Sequence, residues 1–106
     1  RKEKCVTLEV ENTAEMPWLA RTAAGRRLVR LGAQLHDFRR KMINRDYARA
    51  FLPGDLDGGK KATVDLELPG IEKMGIYWLK FDMVSEGIDW FENAGSSVVW
   101  RRVLVL

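Results

Sequence analysis

Cysteine and histidine each occur once in this chain, as Cys5 and His36, and proline only three times. A lone thiol cannot close an internal disulfide, and one thiol with one imidazole cannot build a multi-thiolate or histidine-clustered metal site. No N-x-S/T sequon occurs, because Asn12, Asn44 and Asn93 have Ala14, Asp46 and Gly95 two positions on. These absences favour a reducing compartment, read here as cytoplasmic with possible membrane association. Long apolar runs are missing too: Val103 to Leu106 is typical of the longest, far below the roughly 20 residues a spanning helix needs. The charged opening Arg1-Lys2-Glu3-Lys4-Cys5 offers no signal-peptide core. Neither G-x-x-x-x-G-K-[ST] nor G-x-G-x-x-G is present, so the sequence calls for no cofactor and no metal.

What remains is a globular composition, 46% hydrophobic and 31% charged over 106 residues, which fits one domain and leaves no room for two. The chain begins at Arg1 without an initiator methionine, and its single domain, residues 1–106, reads as excised from something longer. The net charge of +3 conceals an asymmetry. Residues 21–49 hold nine cations against Asp37 and Asp46, while the rest holds nine cations against thirteen acids. The basic segment therefore projects a local field.

Short strands separated by turns dominate the pattern. Val6, Leu8 and Val10 alternate with Thr7, Glu9 and Glu11, and Ala62, Val64, Leu66 and Leu68 alternate with Lys61, Thr63, Asp65 and Glu67. Asn12 to Pro17 reads as a turn, and Gly58-Gly59 and Pro69-Gly70 bracket the second alternating run. Gly75 to Val84 and Ser97 to Leu106 read as strands buried on much of both faces. Residues 26–42 are ambiguous. Leu28, Leu31, Leu35, Phe38 and Met42 keep a helical spacing, whereas Val29, Leu31, Ala33 and Leu35 keep the strand period. The surrounding strands favour β, and the whole predicts an all-β sandwich.

Several motifs carry a resemblance. Asn12-Thr13 followed by Pro17-Trp18, Leu31-Gly32-Ala33-Gln34-Leu35-His36-Asp37, Leu52-Pro53-Gly54-Asp55-Leu56, Gly75-Ile76-Tyr77, and Phe81-Asp82-Met83-Val84-Ser85-Glu86-Gly87 with Trp90-Phe91 and Gly95 form one set. It resembles the immunoglobulin-like accessory modules of bacterial glycosyltransferases and methyltransferases that build surface polysaccharides. It is more distantly similar to the four-tryptophan domain of a selective-autophagy cargo receptor, with Trp100 in the matching last strand. The resemblance runs over roughly residues 5–105, and the ending from Phe81 to Gly95 is its most specific part. Gly58-Gly59-Lys60 departs from the Pro-Gly-Glu turn of that family. The resemblance implies an immunoglobulin-like antiparallel β-sandwich of about seven strands, with a tyrosine corner at Tyr77.

Candidate contact residues are weighed against simpler roles. Trp18 could stack on a sugar ring, but reads better as a plug closing one end of the core. If Tyr77, Leu79, Phe81 and Met83 face inward, then Ile76, Trp78, Lys80 and Asp82 face out, and an exposed Ile76–Trp78 pair is the best surface candidate. Glu86, Asp89 and Glu92 beside Trp90 and Phe91 resemble a glycosidase acid pair only loosely, since nothing supplies a second cleft wall. A loop with Trp90 and Phe91 tucked beneath it and its acids solvated is the simpler reading, with Glu86, Asp89 and Trp90 kept as sugar-binding candidates. Arg39, Arg40, Lys41, Arg45 and Arg49 form a basic patch suited to anionic lipid or nucleic acid. No recognised RNA-binding signature accompanies it, and no nucleic acid is expected as a partner.

The resulting expectation is a non-catalytic accessory or binding module of a larger surface-polysaccharide biosynthesis protein. Its partner would be polysaccharide, another domain of the parent or a protein, with peripheral membrane contact and the oligomeric state left open. The alternatives are a protein-interaction or dimerisation module unrelated to carbohydrate, or a basic surface for anionic lipid or nucleic acid.

Overall fold

The structure, a computed structural model, describes residues 3–106. Among these residues it is an antiparallel β-sandwich of seven strands, with a single four-residue 3-10 turn (Phe91–Ala94) as its helical element. The strands are β1 (Lys4–Glu11), β2 (Val29–His36), β3 (Met42–Phe51), β4 (Lys61–Leu68), β5 (Gly75–Ser85), β6 (Asp89–Trp90) and β7 (Val99–Val105). One sheet contains only β1 and β4. The other has the order β3-β2-β5-β6, with β7 also paired to β5. No helix among the described residues is long and apolar enough to cross a membrane.

Alternation assigns the inner faces. Val10, Val64, Leu66 and Leu68 from the small sheet meet Leu31, Ala33, Leu35, Ala48, Leu79 and Phe81 from the large one. The two alternating runs legible in the sequence, Val6 to Val10 and Ala62 to Leu68, are thus β1 and β4, paired in continuous register from Lys4–Leu68 to Glu11–Lys61. Leu52 and Leu56, in the loop after β3, are buried and cap the core. Tyr77 forms the expected corner: its hydroxyl donates to the Lys73 carbonyl at 2.7 Å.

The ambiguous middle resolves as strand, turn, strand. Asp37 makes the turn, its carboxylate accepting the backbone N–H groups of Arg39 and Lys41 at 2.9 Å each. Arg40 completes it in the left-handed region, at φ 63°. The register between β2 and β3 shifts between Ala33 and Leu35, where Asn44 Oδ1 accepts the Asp46 N–H at 3.0 Å and folds extra residues into a bulge. Phe38 and Met42, which completed the helical spacing, lie in the turn and at the start of β3.

The last strand corrects an expectation. The sequence reads Ser97 to Leu106 as buried on much of both faces, yet in β7 only Val105 is buried. The reason is position: β7 bonds only to β5 and lies at the sheet edge.

The small sheet is fastened by a buried asparagine. The Asn12 side chain donates to the carbonyls of Met16 (2.8 Å) and Leu56 (2.9 Å) and accepts the Ala14 N–H (3.0 Å). Its own backbone bonds Gly59 and Lys60. Gly58 lies so close to this turn that a Cβ there would approach the Ala14 carbonyl to 2.4 Å, which explains the glycine at this position. Asn12→Ala orphans several buried groups at once, and the expected cost is about 2–3 kcal/mol, measurable as a lower midpoint in urea unfolding.

Candidate functional site

Pairing register places the outward residues of the five-stranded sheet on a grid. Phe51, Arg30 and Val84 form one row with Trp90; Arg49, Gly32 and Asp82 form the next. Gln34, Lys80 and Trp100 follow, then Met42, His36, Trp78 and Arg102, and finally Ile76 and Leu104. Three of the four tryptophans therefore lie on this outer face. As alternation along β5 requires, Ile76, Trp78, Lys80 and Asp82 point outward while Leu79 and Phe81 enter the core.

Cations are interleaved with the aromatics. The Arg40 guanidinium lies 4.2 Å from the Trp78 ring centre and 4.7 Å from that of Trp100. Arg49 lies 4.4 Å over Trp90, and Arg21 lies 4.0 Å over Phe51, with Arg30 on the same ring at 4.8 Å. Such contacts hold the cations through the ring quadrupole. His36 is buried in the grid, its Nδ1 2.9 Å from the Arg40 carbonyl and its ring edge-on to Trp100. The Trp78 indole donates to the Phe38 carbonyl at 3.2 Å, which joins the Asp37 turn to the sheet.

The candidate residues thus separate. Trp90 is buried, but on the outer face rather than beneath a loop. Its ring lies across Gly32, where a Cβ would come within 2.7 Å of it. Phe91 turns the other way and meets Trp18 edge-to-face at 5.4 Å, so Trp18 is a half-buried piece of the sandwich end, as a plug should be. Glu86 is not a solvated acid: it pairs with Arg30 and, at 3.6 Å, with Arg49. Asp89 accepts the Trp90 N–H at 2.8 Å and the Asn93 amide at 2.6 Å, which fixes the following turn. Glu92 pairs with Lys80.

The basic patch is divided in the same way. Arg49 is committed to Asp46, Glu86 and Trp90, and Arg40 to the tryptophans. Arg39, Lys41 and Arg45 stay exposed.

Sequence reasoning missed Asp82, which is outward-facing yet buried. Its two oxygens accept the N–H groups of Met83 and Glu92, each at 2.8 Å. Burial raises its carboxyl pKa above the ordinary value, and the neighbouring Glu92 charge adds to this; the two backbone N–H groups and Lys80 oppose it. The only signal in the sequence was its position on the outward row of β5.

At the end of the grid, apolar groups are bare. Ile76 is 47% exposed, Leu104 62% and Phe38 60%, all in the neighbourhood of Trp78. Among the described residues no cluster of potential metal ligands occurs. In comparison with known proteins, the chain matches no protein-family model and no curated protein.

Two outcomes follow from the packing of this face. Gly32→Ala forces the Trp90 ring off the sheet, with an expected cost of about 1–3 kcal/mol and a changed near-ultraviolet circular dichroism spectrum. Protonated Asp82 is favoured in the folded chain, so its contribution to stability is full below the ordinary carboxyl pKa and is lost as pH rises through the raised one. The stability of the wild type relative to Asp82→Asn should therefore fall as pH rises from below the ordinary carboxyl pKa through the raised one, as read by urea unfolding at a series of pH values.

Proposed function

We propose that this chain is a non-catalytic binding module whose outer sheet face, at the Ile76–Trp78–Leu104 end, contacts a partner protein. The carrying observation is the bare apolar cluster of Ile76, Leu104 and Phe38 around Trp78, mounted on a paired, rigid sheet and ringed by Arg39, Arg40 and Arg102. Apolar patches rimmed by charge mark contact surfaces, and aromatic residues and arginine are the side chains enriched at protein interfaces. The resemblance in the Asn12–Trp18 and Phe81–Gly95 motifs supports a place for the module in a larger bacterial protein of surface-polysaccharide assembly, where it would join that protein to a partner.

A glycan is less well supported as the direct ligand. A sugar stacking on Trp78 or Trp100 competes with Arg40, and Trp90 is already held between Gly32 and Arg49. The carboxylates that could grip hydroxyl groups are engaged as well: Glu86 by two arginines, Asp89 by a turn and Glu92 by Lys80. The same engagement supports a non-catalytic role, because a general acid or base needs a carboxyl free to reach a substrate.

The test is a photo-crosslinking amino acid at position 76 or 104, compared with one at Glu67 on the small sheet, in the cells that make the protein. The expected result is a defined crosslinked polypeptide from positions 76 and 104 only, abolished by Trp78→Glu. Absence of any crosslinked polypeptide, together with tryptophan fluorescence that responds to surface polysaccharide, would falsify the reading in favour of a glycan site.

A further inference from the structure

The two sheets are unequal, and the imbalance leaves a groove. β1 bonds only to β4, and β7 bonds only to β5, so each presents a free backbone edge. Between these edges lies a cavity of about 520 Å³ walled by both strands and floored by Leu79 and Phe81. A second cavity, of about 400 Å³, continues it towards Trp18 and Phe91, sharing Leu8, Phe81 and Val99 with the first. The two make one groove along β1.

Its lining is made of residues that point inward yet are not covered. Val99 is paired with Phe81 and so faces the sandwich interior, but is 50% exposed. Val6, Leu8 and Val103, also on inward rows, are only half-buried. Two inward positions hold cations instead. Lys4 shares a face with Val6 and Leu8, and Arg101 shares one with Val99 and Val103; both line the groove. Among the described residues neither forms an ion pair.

We infer that this groove receives an extended segment of a partner polypeptide, which adds to the free edge of β1, antiparallel to it, as a third strand of the small sheet. Strand addition supplies backbone hydrogen bonds from the exposed edge, and pockets for alternate side chains supply selectivity. The uncovered Val6, Leu8, Val99 and Val103 call for aliphatic side chains at every second position of that segment. Lys4, at the start of β1, calls for a carboxylate at its C-terminal end, and Arg101, on the facing strand of the same groove, adds positive charge. β1 is the better acceptor than β7, because a two-stranded sheet gains most from a third strand. The groove opens on the interior side of the large sheet, opposite the outer face, and the two surfaces meet at Arg102 and Leu104 on the edge strand β7.

The probe is a seven-residue peptide alternating valine and threonine, with glutamate as its last residue, added to the 106-residue chain. Amide hydrogen exchange should slow at every second residue of β1, at those N–H groups not bonded to β4. A peptide with proline at the positions whose N–H would face β1 should give no protection, because each ring replaces a ladder donor and blocks close approach to the β1 edge. Arg101→Glu should weaken binding of the glutamate peptide about five-fold or more and favour the same peptide ending in lysine. The proposal is overturned if the glutamate peptide gives no β1 protection at millimolar concentration, or if the proline peptide binds equally well. It is also overturned if the free chain sediments as a dimer with β1 already protected, since the occupant is then a second copy.

Discussion

Everything in this sandwich depends on burying the inner face of a five-stranded sheet beneath a layer only two strands wide. A pair of strands has little stability alone, so β1 and β4 persist because Val10, Val64, Leu66 and Leu68 are removed from water by Leu31, Ala33, Leu35 and Phe81. Hydrophobic burial supplies the driving force, and the Asn12 turn supplies the geometry by tying the small sheet to the Leu56 loop. The same imbalance accounts for the long groove beside β1: two strands cannot cover what five present.

The opposite face of the large sheet solves a different problem. Its outward rows carry Trp78, Trp90 and Trp100, and without cover they would form a large apolar surface. Arginines supply much of that cover. The Arg40 and Arg49 guanidinium groups lie over the rings, and Glu86 pairs with both Arg30 and Arg49. A basic segment that looks in sequence like an anion-binding patch therefore spends part of its charge inside the molecule. The Asp82 carboxylate, gripped by two backbone N–H groups, and the glycine beneath Trp90 complete a surface that is ordered almost to its edge. Apolar groups remain bare at its ends, Phe51 at one and Ile76 and Leu104 at the other, and the contact proposed above uses the second.

Legibility in the sequence followed the reach of each interaction. The alternation of β1 and β4 and the outward row Ile76–Trp78–Lys80–Asp82 were readable, because period-two patterning is local; the Tyr77 corner was implied by the resemblance of Gly75-Ile76-Tyr77. The segment 26–42 was not, since Leu28, Leu31 and Leu35 satisfy two periods at once. Asp37 broke the tie by capping a turn, and its neighbours alone do not announce that role. The locations of Trp90 and Arg49 were equally hidden. Each depends on which residue of a distant strand stands opposite, and a bulge at Asn44 alters that register in the middle of β3.

Composition and periodicity by themselves determined the class of the molecule: strands, their faces, and the exclusion of disulfide and clustered-histidine chemistry. These are properties of single residues and of neighbours two apart. Tertiary structure decided which cations face solvent, which acids are already paired, and where the surface is left open. Those outcomes are set by strand order and by unequal sheet widths. Both arise from pairing residues dozens of positions apart, such as Trp78 with Phe38 and Glu86 with Arg30, and no local pattern encodes them.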